Sequence, residues 1–260
     1  METSRLVLAI EALLLLFALI AASLPGRANR AAAAPWLLAA AAGVVYAGMR
    51  YRASWPMTPM FAGSVLHPPL LAVLGALSLR GSDPQNDPGG APVARRWLIA
   101  FGLAATLAGV FFPKDFYLPM IKTTSPYAHG ALLFGSLARA CLFVAGAWGC
   151  AALRGHDAMP RVFRWMVWGF GFWTLSLFSG EMWSYTGWGV PMVWEDASTL
   201  TAIGTWLFYV GVIHLYLGGL SSRRTRAAMS VLGAVLILAL NGGPDMGPFV
   251  DPLAVAGGAR

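Results

Sequence analysis

The sequence predicts an all-α fold, a polytopic membrane helix bundle of about eight transmembrane helices. Three observations predict it. Hydrophobic residues make up 58% of the chain and charged residues 11%, with mean hydropathy +0.64, a balance that a soluble core under a solvated shell does not produce. Apolar stretches of about 17 to 25 residues recur along the chain, each long enough for a helix to cross a hydrocarbon core of about 30 Å. The links between them are short. Lipid offers peptide groups no hydrogen-bond partner, so spans of this kind are helices.

The first run, 5–24, has Arg5 at its start, Glu11 inside it and Ala21-Ala22-Ser23 at its end. That pattern touches on a signal peptide, but Glu11 and the spans behind it read as a retained helix. The second run is 31–49. The third, 59–79, contains His67-Pro68-Pro69, where two missing amide donors predict a kink. The interval 81–92 (GSDPQNDPGGAP) is the longest polar one and reads as a flexible loop, setting an N-terminal helix group, 1–80, apart from the later helices. Further runs fall at 97–113, 128–153, 163–184, 199–220 and 226–242. Residues 97–242 then form the candidate functional core of a single membrane domain, 1–260.

Lys and Arg in the links orient the bundle, because cytoplasmic links are richer in them. Arg27 and Arg30, then Arg80, Arg95 and Arg96, then Arg154, Arg161 and Arg164, then Arg223, Arg224 and Arg226 fall on one side by parity, which is read as cytoplasmic. Both termini, the 114–127 link and the segment after Gly180 then lie outside. Arg50 and Arg52, in an outer 50–58 link, are exceptions. The net charge of +7 comes largely from the cytoplasmic links. With no basic patch of interleaved aromatics, it reports topology and argues against a nucleic-acid partner. Cys141 and Cys150 share one apolar run at a spacing that fits neither a CxxC redox pair nor a zinc site, and read as packing residues.

Between Gly180 and His214 the chain sets Trp183, Trp188 and Trp194 with Glu195 and Asp196 in a short polar interval between two apolar runs. So many flat amphipathic rings suit a flat, mostly apolar ligand at the membrane surface. An interfacial belt is the other reading of such tryptophans, and the one adopted for Trp36 and Trp97. His129 opens the fifth run at its outer end. His214 lies about fifteen residues into the seventh, roughly 20 Å deeper by helical rise. An imidazole at that depth is a functional candidate, the alternative being a hydrogen bond to a neighbouring hydroxyl or carbonyl. His156, beside Asp157 and several arginines, reads as solvated. Histidine is the usual axial ligand of haem iron, so an indole-walled shelf with His129 at its edge suits a haem face, with Lys114, Lys122 or Arg52 for its propionates.

Gly180-Glu181-Met182-Trp183, Trp188-Gly189, Val193-Trp194-Glu195-Asp196, Thr205-Trp206-Leu207-Phe208-Tyr209 and His214 resemble the WWD segment, and the helix after it, of the haem-handling cytochrome c assembly proteins. The CcsA/ResC branch is the nearer likeness and CcmC the more distant. Leu118-Pro119-Met120-Ile121-Lys122 with Ser125-Pro126-Tyr127-Ala128-His129 is similar to the family's link ending in an external histidine. Pro56-Met57-Thr58-Pro59-Met60-Phe61 resembles a further element, so the likeness covers roughly 45–250 and is specific from 118 to 214.

The resemblance implies a multi-pass protein of the bacterial cytoplasmic (inner) membrane that moves or presents haem b for covalent attachment to apocytochrome c. It implies a ResB-like membrane partner. It makes His129 an outer and His214 an inner ligand of haem iron, with Trp183, Trp188, Trp194 and Asp196 holding the ring. As an enzyme, such a chain is a haem lyase (holocytochrome c synthase) component with no general base of its own. The chain departs from the family pattern where a second intramembrane histidine belongs, near Ser54 or Trp55, and where a second external one belongs, around Pro248 to Asp251. Met192 stands in place of an expected tryptophan. These losses motivate the alternative of a non-catalytic scaffold or assembly relative, and Glu11, Arg139 and Glu181 at membrane depth motivate a small-molecule permease.

Overall fold

Lipid-driven hydrogen bonding leaves the apolar runs one conformation, and the computed structural model has it: described residues are 2–24, 31–56, 62–80, 89–111, 124–192, 194 and 197–241, with no strand among them. In chain order the helices are α1 (Glu2–Ser23), α2 (Ala33–Ser54), α3 (Ala62–Arg80), α4 (Gly90–Phe111), α5 (Pro126–Leu153), α6 (Met159–Trp188), α7 (Ala197–Leu217) and α8 (Arg223–Asn241). Among the described residues four stretches, Thr3–Ser23, Gly90–Val110, Pro126–Leu153 and Thr199–Leu217, are by length and composition alone apolar enough to cross a membrane, with mean hydropathy from 1.4 to 2.6. The chain is a polytopic membrane helix bundle.

α5 is its axis. Every residue from Ala140 to Ala151 is buried, so this helix is apolar and covered all round, packed by α3, α4, α6 and α8. Small residues make that possible. A Cβ on Gly146 would stand 2.6 Å from Cβ of Ala234, and one on Gly149 would stand 3.1 Å from the carbonyl oxygen of Ala227, so α8 lies directly on the bare backbone. On the far side Trp148 is fully buried, donates its indole N–H to Ser78 Oγ at 3.2 Å and lies under the Arg161 guanidinium, 4.6 Å from the ring centre. One side chain thus ties α3 and α6 to the axis. Cys141 and Cys150 are free, buried thiols in the same helix, as packing residues should be.

α1 packs on α2 and α4, and α7 on α6 and α8. The expected runs all appear as helices, with differences at their ends and faces: α4 begins at Gly90, inside the expected 81–92 loop, and α6 outruns its expected end at 184. α2 runs on to Ser54 and buries Arg50 in its last turns, so Arg50 is not a link residue. α3 is continuous through Pro68 and Pro69; packing from neighbouring helices tolerates the lost amide donors. Trp36 is core, not belt: it is 5% exposed and packs 3.2 Å from the Cβ position of Gly75.

Candidate functional site

Ser125 builds the start of α5. Its hydroxyl accepts from the Tyr127 amide at 3.2 Å, and Pro126 occupies the first turn, where no amide donor is needed. His129 therefore sits one turn inside the helix end, half-buried. Its Nε2 lies 3.1 Å from the Pro56 carbonyl oxygen, and a carbonyl only accepts, so Nε2 carries the proton and donates. The Nδ1 lone pair is left for another partner. The ring is framed by the end of α2: Tyr51 stacks on it with centroids 6.3 Å apart, and Trp55 lies tilted at 5.8 Å.

The tryptophan segment occupies the same end of the bundle. The Ser176 hydroxyl donates to the Ala131 carbonyl at 2.7 Å, and Ser179 Oγ lies 3.2 Å from the Cβ position of Gly130, so the antiparallel pairing of α5 and α6 sets His129 level with Ser179. Trp183 is one helical turn further out. α6 continues well past the apolar run that predicts it, through Trp188, and stops at Gly189, whose φ of 78° suits glycine. The Thr186 hydroxyl donates to the Met182 carbonyl at 2.9 Å along this last stretch. Trp183 and Trp188 are therefore helical neighbours, with centroids 5.5 Å apart and an interplanar angle of 68°. Trp188 and Trp194 are exposed, at 44% and 62%. Asp196 lies outside the described residues, as do Glu195, Lys114 and Lys122.

His214 is elsewhere. α7 is held on α6 by Trp206, whose indole N–H donates to Thr174 Oγ1 at 3.0 Å, and by Trp173, which donates to the Ala202 carbonyl at 3.1 Å. Near its C-terminus, Tyr216 stacks on Phe163 at 4.2 Å and donates to the Met159 carbonyl at 3.4 Å. This register puts His214, in the last turn of α7, level with the first turns of α6. At about 1.5 Å rise per residue, the stretch of α6 separating it from the level of His129 is roughly 27 Å long. The two histidines thus occupy different depths, as the sequence predicts, with His214 at the far end of its helix.

The His214 side chain is exposed on the outer surface of the bundle. Its Nδ1 donates to the Val210 carbonyl of the same helix at 2.8 Å, which fixes the tautomer and leaves the Nε2 lone pair facing outward. Each imidazole has one ring nitrogen on a carbonyl and the other open, a donor set that fits axial ligation of haem iron, while the His214 bond to Val210 equally meets the alternative of a carbonyl-bonded histidine. Among the described residues no three His, Cys, Asp or Glu side chains converge into a cradle for a bare metal ion.

His156 is half-buried, with its ring against the Cβ position of Gly89, so it packs between the ends of two helices instead of standing in water. Of the immediate neighbours of His129, Tyr51 carries no signal in the sequence that marks it, and Trp55 is marked only as the neighbourhood where the family pattern has a histidine, not as a partner of His129.

Residues 156–240 match the family model described as Cytochrome C assembly protein, about a third of the chain. No curated protein and no solved structure matches. The matched stretch contains α6, the tryptophan segment, α7 and most of α8, and it supports the cytochrome c assembly protein family and a role in cytochrome c biogenesis.

Proposed function

We propose that this chain, which carries a cytochrome c assembly segment at 156–240, holds haem at two levels of the bundle and presents it for attachment to an apocytochrome c. The observation that carries the reading is the pair of tautomer-fixed imidazoles at two separate levels along α6, one of them beside the tryptophan ledge. His214 holds iron at the arginine-rich end and His129 at the tryptophan end. Trp183, Trp188 and Trp194 cover the ring edge, and Asp196 lies in the same segment. Tyr51 and Trp55 orient the His129 ring. Bound haem b supplies the vinyl groups that cytochrome thiols add to. The chain itself contributes ligation, orientation and exclusion of water, so its part in bond formation is positional. The arginine-rich links make that end cytoplasmic in a bacterial inner membrane. A ResB-like partner supplies an outer domain.

The test is the haem content of the purified full-length protein, read as a pyridine haemochrome. Wild type is expected to carry b-type haem, His129→Ala and His214→Ala each to lose about half of it, and the double variant nearly all. Wild type without haem, or a double variant that retains it, overturns the proposal. The two absent family histidines favour one alternative, a scaffold relative that no longer transfers haem. It predicts that a deletion strain still matures its c-type cytochromes.

A further inference from the structure

Below His129 the seam between α5 and α6 carries a run of polar side chains, one of several polar groups buried in the bundle beside Glu11, Arg50 and Thr106. Ser179 Oγ lies 3.2 Å from the Cβ position of Gly130. Further down, Ser176 Oγ at 2.9 Å and a guanidinium nitrogen of Arg139 at 3.4 Å converge on the same point, the Cβ position of Gly135. The Ser136 hydroxyl, fully buried, has no hydrogen-bond partner among the described residues. The Arg139 guanidinium rests 5.1 Å from the centre of the Trp173 ring. Trp173 is itself fixed, 3% exposed and bonded through its N–H to Ala202 of α7. By helical rise Arg139 lies about 15 Å below His129, between the levels of the two candidate ligands.

A cation in the hydrocarbon zone is costly unless it meets an anion or a polar cavity, and its neighbours show that it is set, not stray. Glycine at 135 makes room where a larger residue would displace the guanidinium or Ser176, and an indole locked to a third helix supports it from one side. A guanidinium offers a planar fork of donors that matches a carboxylate in two parallel hydrogen bonds. Porphyrin carries carboxylates as its propionates. We propose that Arg139 is a carboxylate-binding station within the membrane, taking a haem propionate between the levels of His214 and His129. The inference rests on the haem-handling reading and adds a residue that reading does not contain.

The experiment compares haemin with haemin dimethyl ester, which keeps the macrocycle and removes the carboxylates. Each is titrated into the purified full-length protein and its affinity read from tryptophan quenching. The ratio of free-acid to ester affinity is expected to fall about 10- to 100-fold from wild type to Arg139→Gln, the range of a hydrogen bond between charged groups. A merely structural arginine lowers both affinities together and leaves the ratio alone. An unchanged ratio with both proteins binding haemin overturns the inference and leaves the haem-handling reading intact. Failure of wild type to bind haemin overturns that reading, and the station with it. If Arg139→Gln is not monodisperse, Arg139→Lys takes its place, since an ammonium lacks the planar fork: a fall of about threefold or more supports the station, and an unchanged ratio sinks it.

Discussion

Trp148→Phe probes the joint on which the bundle turns. In lipid, helices associate through packing and interhelical hydrogen bonds more than through water exclusion, so a buried indole joined to two neighbours is worth most where it stands. Three contributions are lost. The hydrogen bond to Ser78 Oγ, 3.2 Å long, contributes about 1 kcal/mol. Ser78 keeps its own donation to the Gly75 carbonyl at 2.7 Å, so no larger orphan cost is added. Weaker attraction between Arg161 and the smaller ring costs roughly 0.5 kcal/mol. The void beside a fully buried side chain adds about 1 to 2 kcal/mol. The expected loss is therefore roughly 2 to 4 kcal/mol. Reversible unfolding in mixed micelles, followed by tryptophan fluorescence and circular dichroism, measures it. Ser78→Ala completes a double-mutant cycle whose coupling should be near 1 kcal/mol, about the worth of the shared hydrogen bond. A loss under about 0.5 kcal/mol, or strict additivity of the two changes, refutes the claim that this indole joins α3 to the axis.

Two other substitutions test the packing from opposite directions. Gly146→Val puts a branched side chain where even a Cβ meets Ala234 at 2.6 Å, so α5 and α8 must part, at an expected cost of about 1 to 3 kcal/mol in the same unfolding assay. Asp157→Asn removes the ion pair with Arg223, 2.8 Å long but with both side chains more than half exposed, and is expected to change stability by less than about 1 kcal/mol.

The helices were legible because the bilayer leaves an apolar run of that length one option, and hydropathy measures that directly. The ends were less so, for a reason visible in α6. Its outer stretch, Gly180 to Trp188, mixes glycine, serine, threonine and tryptophan, which hydropathy reads as a link, whereas the hydroxyls of Ser184 and Thr186 bond to local carbonyls and the helix persists to Gly189. Charge misleads in the same way at Arg50, which reads as a link residue and is buried in α2. The side a residue faces was not legible either: hydropathy gives Trp36 and Trp97 the same weight, yet one is 5% and the other 37% exposed. His129 could be picked from the sequence by its place at a helix start, but its frame of Tyr51, Trp55 and Pro56 comes from a helix far off in the chain.

The separation of the two imidazoles follows from chain order more than from any contact. α5 and α7 run in the same direction, with α6 antiparallel between them. A residue in the first turn of α5 and one in the last turn of α7 must then lie at opposite ends of the bundle, whatever the side-chain detail. Pro126 and Ser125 fix the first of these positions, and the Tyr216 contacts to Phe163 and Met159 fix the second. At a spacing of roughly 27 Å along the helix axis, a single macrocycle cannot be ligated by both, so under the proposed function they act on different haems or on one haem at different times. That is why loss of one histidine should leave the other's share in place. Under the same proposal a cation between the two levels is useful, because a porphyrin moving from one to the other would otherwise carry its carboxylates unaccompanied through hydrocarbon.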